Sequence, residues 1–354
     1  MFELGGKRIW VAGHCGMVGS ALVRRLASEN CSIITTGRDA VDLRRQSAVE
    51  AFLRETRPDA IILAAARVGG ILANSTYPVD FLYDNLMIAA NVVKAAHDND
   101  VERLLILGSS CIYPRAAAQP IGEAALLSGA LEPSNEFYAI AKIAGLKLVE
   151  AYRRQYGRDY IAAMPTNLYG PGDNFDLLSG HVLPALIRKA HWARVNGAAE
   201  VTIWGTGKPR REFLHVDDCA DALVLLLKQY SDAEHVNVGS GLDHTILELA
   251  QQVCDVVGFT GSIAHDLGKP DGMPRKLMRA DGAYHARCAG RRDAALKRAD
   301  CGFWGQSFWF YLCFGGGGEA RKGAAGRAYQ SAAGRRVMQA CQSGASHRAF
   351  CAWG

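Results

Sequence analysis

The sequence predicts an α/β fold: a Rossmann-type doubly wound parallel sheet with a smaller C-terminal substrate lobe. Three observations predict it. A glycine-rich turn, Gly13–Gly19, stands between an apolar strand and a helix near the start of the chain. The runs Asp59–Ala66 and Arg103–Leu107 are apolar with little polar alternation, as strands covered on both faces must be. Helical patterns separate the strands, giving repeated β-α-β units with right-handed crossovers.

Taken in order, Lys7–Ala12 reads as the first strand and Met17–Ser28 as the helix after the turn. Ser32–Thr36 is a second strand, Ser47–Thr56 a helix and Asp59–Ala66 a third strand. Pro78–Asp98 and Glu136–Tyr156 are long helices on either side of the strand Arg103–Leu107, and Tyr160–Met164 closes the series. Residues 1–165 are therefore expected to form the Rossmann domain that binds a dinucleotide.

Beyond Met164 the texture changes. Thr166–Asn174 is rich in turn formers. A helix at His181–Val195, a strand at Val201–Trp204 and an extended piece at Glu212–His215 follow. Helices come next at Asp217–Tyr230 and Thr245–Val257, the latter with an apolar stripe at Ile246, Leu249, Ala250 and Val253. Residues 166–281 are expected to form a substrate-binding lobe whose segments partly return to the main sheet.

The last 73 residues are a different kind of sequence, without Ile, Thr, Pro or Asn, and with four consecutive glycines at Gly315–Gly318. Two readings stand for 282–354: an altered reading frame beginning near Gly282, or a basic extension. The aromatic cluster Trp304, Phe308, Trp309, Phe310 and Tyr311 favours the first, since solvated tails are poor in aromatics.

Charge follows the same division. The chain carries +5 overall, but residues 282–354 hold 11 basic against 3 acidic groups, leaving 29 against 32 in the rest. The enzyme-like part thus has no electrostatic case for nucleic acid as a partner. No apolar run is long enough to span a bilayer, and the first residues lack the plan of a signal peptide, so a cytoplasmic location is expected. The ten cysteines contain no C-x-x-C pair, and neither disulfides nor a metal site is expected.

Four groups of residues carry chemistry. In Gly13-His14-Cys15-Gly16-Met17-Val18-Gly19, glycines permit a tight turn whose amides, with the helix N-terminus, can face a pyrophosphate. The second strand ends Thr36-Gly37-Arg38, and a guanidinium there suits a ribose 2′-phosphate better than a 2′-hydroxyl. Tyr138 and Lys142 lie four apart on one helix face, where a cation beside a phenol is expected to lower its pKa. Ser109 and Cys111 follow a buried strand at the edge where such sheets bind ligands, and strand alternation is expected to turn them to the same side. The plainer alternatives are a solvated charge for Arg38 and a small buried hydrophobe for Cys111.

At these residues the sequence resembles the extended short-chain dehydrogenase/reductases. Further strings resemble one branch, the GDP-4-keto-6-deoxy-D-mannose 3,5-epimerase/4-reductases, which make GDP-L-fucose. They are Gly108–Pro114, Asn135–Gly145, Pro165–Pro171, His181–Leu186, Arg211–Asp218, Asn237–Ser240, Lys269–Gly272 and Pro274–Leu277. The resemblance implies that Cys111 and His181 act as base and acid in inverting carbons 3 and 5. It implies that Ser109 and Tyr138 hold the enolate oxygen, and that NADPH then reduces carbon 4 while Tyr138 gives a proton. Lys142 would anchor the nicotinamide ribose. Leu107, Gly108, Ser109, Ser110, Pro165, Thr166, Asn167, Leu168 and His181 match cofactor-lining positions. Lys189, Trp204, Arg211 and Asp271 match contacts to the GDP-sugar substrate, Lys189 standing where an arginine is usual. Cys15 also departs from the branch, which carries arginine there and uses it on the adenine ribose phosphate. A homodimer through Pro78–Asp98 and Glu136–Tyr156 is implied as well.

Two other readings remain open. Another extended 4-reductase or epimerase for a sugar nucleotide would not need Cys111. A catalytically impaired NADP-binding protein would not need Ser109, Tyr138 and Lys142 together.

Overall fold

A computed structural model describes residues 1–177, 179–269 and 271–280. The chain begins with β1 (Arg8–Ala12), α1 (Met17–Leu26), β2 (Ser32–Ile34), α2 (Gln46–Thr56) and β3 (Ala60–Leu63). After them come α3 (Ile71–Thr76), α4 (Pro78–Asp98), β4 (Arg103–Leu107), α5 (Glu136–Tyr156) and β5 (Asp159–Pro165). The remainder is β6 (Asn167–Tyr169), α6 (Val182–Val195), β7 (Glu200–Trp204), β8 (Arg210–His215) and α7 (Val216–Gln229). It ends with β9 (Val236–Val238), β10 (Asp243–Thr245), α8 (Ile246–Val257), β11 (Ser262–Asp266) and β12 (Arg275–Lys276).

Six strands form one parallel sheet in the order β2-β1-β3-β4-β5-β9. Its two faces bury two separate cores, because successive side chains on a strand point to opposite sides. Ile9, Val11, Leu105 and Leu107 pack under α1 and α7 with Leu22, Leu26 and Leu223. Trp10, Ala12, Leu104 and Ile106 pack under α2, α4 and α5 with Leu53, Val92 and Leu146. With both faces covered, the strands need no polar alternation, which is why they read as continuous apolar runs. The sixth strand comes from far along the chain: β9 pairs with β5, Ala163 opposite Val236.

Outside that sheet, β8 is the hub. It pairs antiparallel with β10, parallel with β12 on its other side, and parallel with β6 through its second half. β7 and β11 form a separate parallel pair. These strands are two to six residues long and several are polar, so the expected lobe contained more pairing than its periodicity revealed. Helix α8 is closed by a capping box, Thr245 accepting from Glu248 N while the Glu248 carboxylate accepts from Thr245 N. Among the described residues no helix is long and apolar enough to cross a membrane. The reading of 282–354 lies outside the described residues.

Candidate active site

The cleft is built at the carboxyl edge of the parallel sheet, where the glycine turn comes first. Gly13 has φ of +91°, and a Cβ there would stand 2.6 Å from the amide nitrogen of Ala65. Gly16 is the N-cap of α1 with no side chain bound to the free amides, and no acidic residue lies in the first turn. Met17 and Val18 open the helix and pack on the α1/α7 core. A bare helix N-terminus behind a tight glycine turn is a geometry that can take a dinucleotide pyrophosphate. The neighbouring pair is unusual: exposed Cys15 sets its Sγ 3.2 Å from His14 Nε2, and His14 Nδ1 is buried without a partner. Arg38 is exposed just beyond β2. With Arg44, which contributes most, it holds the Asp42 carboxyl down to about 2.

At the end of β4, Gly108 donates to Ala163 O at 2.9 Å, and a Cβ on it would run into Met164 Sδ. The strand stops at Leu107. Residues 110–112 form a 3-10 turn capped by Ser109, whose Oγ accepts from Cys111 N at 3.3 Å. Strand alternation therefore does not place Cys111, contrary to the sequence expectation. The turn brings it beside Tyr138 instead, and Ser110 is buried behind it.

On α5, Lys142 Nζ donates to Leu107 O at 2.9 Å and sits 5.8 Å from the Tyr138 ring centroid. The expected lowering of the phenol pKa is absent here. Burial pushes Tyr138 well above its ordinary value, Cys111 adds to the shift, and only the Ser109 hydroxyl opposes it. Lys142 spends its hydrogen bond on a carbonyl, and enclosure lowers its own pKa to about 8. Tyr138 thus stands as a neutral phenol, which is the form that donates a proton.

Two neighbours of Cys111 were not legible as site residues. Asn135, in the turn before α5, donates from Nδ2 to Sγ at 3.1 Å, and its Oδ1 is buried without a partner. Lys276, on β12, approaches Sγ at 3.7 Å. Both lie in strings that carry the resemblance; what hid them is that only the β12–β8 pairing brings Lys276 across. His181 is the N-cap of α6 and exposed at one side, yet enclosed by enough protein that burial lowers its pKa, with Lys276 pushing further the same way. Its imidazole is neutral near pH 7.

Four residues expected at the substrate, Lys189, Trp204, Arg211 and Asp271, form a second cluster, joined to the first through Arg211. Arg211 is paired in register with Lys276, and Cys111, Glu132 and Asp271 all act on its guanidinium. Asp271 accepts from Thr206 N at 2.7 Å and from Thr206 Oγ1 at 2.8 Å, holding the turn after Trp204. The Trp204 ring is exposed and flanked by the ammonium groups of Lys189 at 5.8 Å and Lys269 at 5.5 Å. An aromatic face beside two cations can take a base and a phosphate. Lys269 is a further residue that spacing alone did not single out.

The Pro165–Leu168 segment, expected to line the cofactor, runs on from the end of β5. Asn167 Nδ2 and Thr166 Oγ1 both bind Glu212 O, at 2.8 and 3.4 Å, and Leu168 packs on the α1/α7 core. These side chains tie β6 to β8.

A glycine-cradled helix end and a phenol, hydroxyl and ammonium gathered at the carboxyl edge of a parallel sheet define a Rossmann-type extended short-chain dehydrogenase/reductase. The chain belongs to the NAD dependent epimerase/dehydratase family, which matches residues 9–239. It is 61% identical over 281 residues to the GDP-L-fucose synthase of Sinorhizobium fredii, covering 79% of this chain and 90% of that protein. It is 52% identical over 282 residues to the GDP-L-fucose synthase of Escherichia coli, covering 77% and 88%. Among solved structures, a GDP-L-fucose synthetase from Naegleria fowleri bound to NADP is similar at a TM-score of 0.73 and 27% identity, covering 88% of this chain and 96% of that one.

Proposed function

We propose that this chain binds NADP(H) and converts GDP-4-keto-6-deoxy-D-mannose to GDP-L-fucose, inverting carbons 3 and 5 before reducing carbon 4. The observation that carries the reading is the meeting of two kinds of group around one point. A neutral phenol and a hydroxyl, Tyr138 and Ser109, face a cysteine, Cys111, and a neutral histidine caps α6 nearby. A plain reductase needs the first pair only.

In this reading the ketone oxygen of the sugar accepts hydrogen bonds from Tyr138 and Ser109, so that negative charge can build on it when a neighbouring carbon loses its proton. Cys111 and His181 handle those protons from the two faces of the sugar. The bound cofactor supplies hydride to carbon 4. Tyr138 then yields its proton to the new alkoxide, and Lys142 steadies that transfer through the ribose and its own charge. Gly13, Gly16 and Gly19 admit the pyrophosphate, and Arg38 takes the 2′-phosphate that distinguishes NADP. Trp204, Lys189, Arg211 and Asp271 hold the GDP half of the substrate.

The protein is proposed to work as a homodimer in the cytoplasm. Support for the dimer comes from apolar side chains left in solvent on two adjacent helices: Val79, Tyr83 and Leu86 on α4, Phe137 and Ile140 on α5. Unpaired thiols at Cys15, Cys31, Cys111, Cys219 and Cys254 accord with a reducing compartment.

Incubation with GDP-4-keto-6-deoxy-D-mannose and NADPH tests the reading, following absorbance loss and product stereochemistry together. Wild-type protein should release GDP-L-fucose. Cys111→Ser should release mainly a reduced sugar without inversion. Wild-type product reduced at carbon 4 without inversion would return the reading to a simple 4-reductase, and full inversion by Cys111→Ser would remove Cys111 from the inversion.

A further inference from the structure

We propose that Lys276 is a positioning residue for the inversion chemistry, holding the Cys111 sulfur in the charged form that removes a proton from carbon. The inference rests on the epimerase reading above and names a residue which that reading does not use.

Lys276 is buried, 8% exposed, and among the described residues no carboxylate pairs with its ammonium. Its side-chain hydrogen bond is to Cys111 Sγ, at 3.7 Å. Burying an ammonium without an anion is costly, so a lysine kept there calls for negative charge nearby. Position accounts for how it arrives. β12 lies against β8 with Lys276 opposite Arg211, and the carboxylate of Glu212 binds Met278 N at 2.9 Å, two residues further on. The lysine is thus clamped on the wall of the cleft that faces the 110–112 turn.

The groups around the sulfur come from four elements. Asn135 Nδ2 donates from the turn before α5 at 3.1 Å, Tyr138 faces it from α5, Arg211 acts on it from β8, and Lys276 reaches it from β12. His181, at the start of α6, faces Lys276. Glu132 and Asp271 act on Arg211, which leaves Lys276 as the cation without a balancing acid. Two donors reaching one sulfur suit a thiolate better than a thiol, whose sulfur is a weak acceptor.

The step balances without an added reagent. The thiolate takes the proton from the carbon beside the ketone, forming S–H. The C–H electron pair becomes the enolate double bond, and the ketone oxygen takes the charge between Ser109 and Tyr138. On the opposite face His181 relays a proton to the carbon, one ring nitrogen taking a proton from solvent as the other gives one up, and the thiol then returns its proton to solvent beside Lys276, so that both groups end the turnover as they began.

The test uses the full chain with GDP-4-keto-6-deoxy-D-mannose and NADPH in deuterated water. It reads deuterium entering carbons 3 and 5 against hydride transfer to carbon 4. In Lys276→Met, deuterium entry should fall about 30-fold more than hydride transfer, as losing a hydrogen bond to a charged group implies. Lys276→Arg should recover most of that difference, and Asn135→Ala should shift the ratio the same way by less. Deuterium entry and hydride transfer falling together in Lys276→Met, or an unchanged ratio in Asn135→Ala with no recovery in Lys276→Arg, would overturn the inference. Wild-type product free of deuterium would instead overturn the epimerase reading, and this proposal with it.

Discussion

Glu212 accepts the backbone amide of Met278 at 2.9 Å, with its carboxylate fully buried and, among the described residues, in no ion pair. The other oxygen takes Gly241 N at 2.7 Å and Ser240 Oγ at 3.3 Å, and a Cβ on Gly239 would stand 2.4 Å from it. One side chain thereby joins β8 to the segment after β9 and to the end of β12. Glu212→Ala would orphan two buried amides at a cost of about 2–4 kcal/mol. A drop in melting temperature together with loss of activity is expected. A Glu212→Ala protein that melts like wild type would show that water or relaxation satisfies those amides.

Gly19 packs against the turn it follows: a Cβ there would lie 2.0 Å from the Gly13 carbonyl oxygen, with no flexible atom to yield. Gly19→Ala should push α1 off the turn and weaken NADPH binding at least tenfold, measured by fluorescence titration. Gly37, which has open space around it, is the control: Gly37→Ala should bind as wild type does.

Cys15 stands exposed where the branch it resembles carries arginine. Cys15→Arg would add a cation at the rim of the dinucleotide seat. The Michaelis constant for NADPH is expected to fall several-fold, with the effect shrinking as salt is added. An unchanged constant would mean that Arg38 already satisfies the phosphate.

Lys142 titrates at about 8, below the ordinary lysine value, because enclosure disfavours its charge. A depressed ammonium is charged below pH 8 and neutral above, so kcat/KM should decline as pH rises through that range. Lys142→Arg keeps its charge at all these pH values and should lose that limb, at a lower overall rate from altered reach.

Asp173 has its pKa raised to about 7 by burial, its only relief being the amide of Asn174 at 2.7 Å. Between the ordinary aspartate value near 3.8 and pH 7, the folded state holds a proton that the unfolded state has released. Stability is therefore lost as pH rises through that window and stays lost above it. Asp173→Asn should stabilise the protein at pH 8 by about 1 kcal/mol or more, and much less at pH 4. Equal melting shifts at the two pH values would count against the buried charge.

The most legible parts of the fold are those with a long period. Helices Pro78–Asp98 and Glu136–Tyr156 and the strand Arg103–Leu107 have the bounds expected of them, because each has a continuous apolar face and clear ends. Ser109, Tyr138 and Lys142 were legible because strand end and helix spacing put them together locally. The polar strands β10 and β12 were not, since two or three residues hold no period. Lys276 and Asn135 were missed for a related reason: what they touch is decided by pairing across more than a hundred residues, or by an irregular turn. The state of Tyr138 was misread because proximity to Lys142 along a helix says nothing of where the ammonium points.

The sixth place in the central sheet is filled by Val236–Val238, some seventy residues after its neighbour β5 has been made. During synthesis the outer edge of β5 therefore stays open until that late segment leaves the ribosome. A truncated gene stopping at residue 165 would expose the same row of amides and carbonyls to other chains. Dividing this protein at the boundary its sequence suggests should yield an aggregating fragment, not a free-standing cofactor domain.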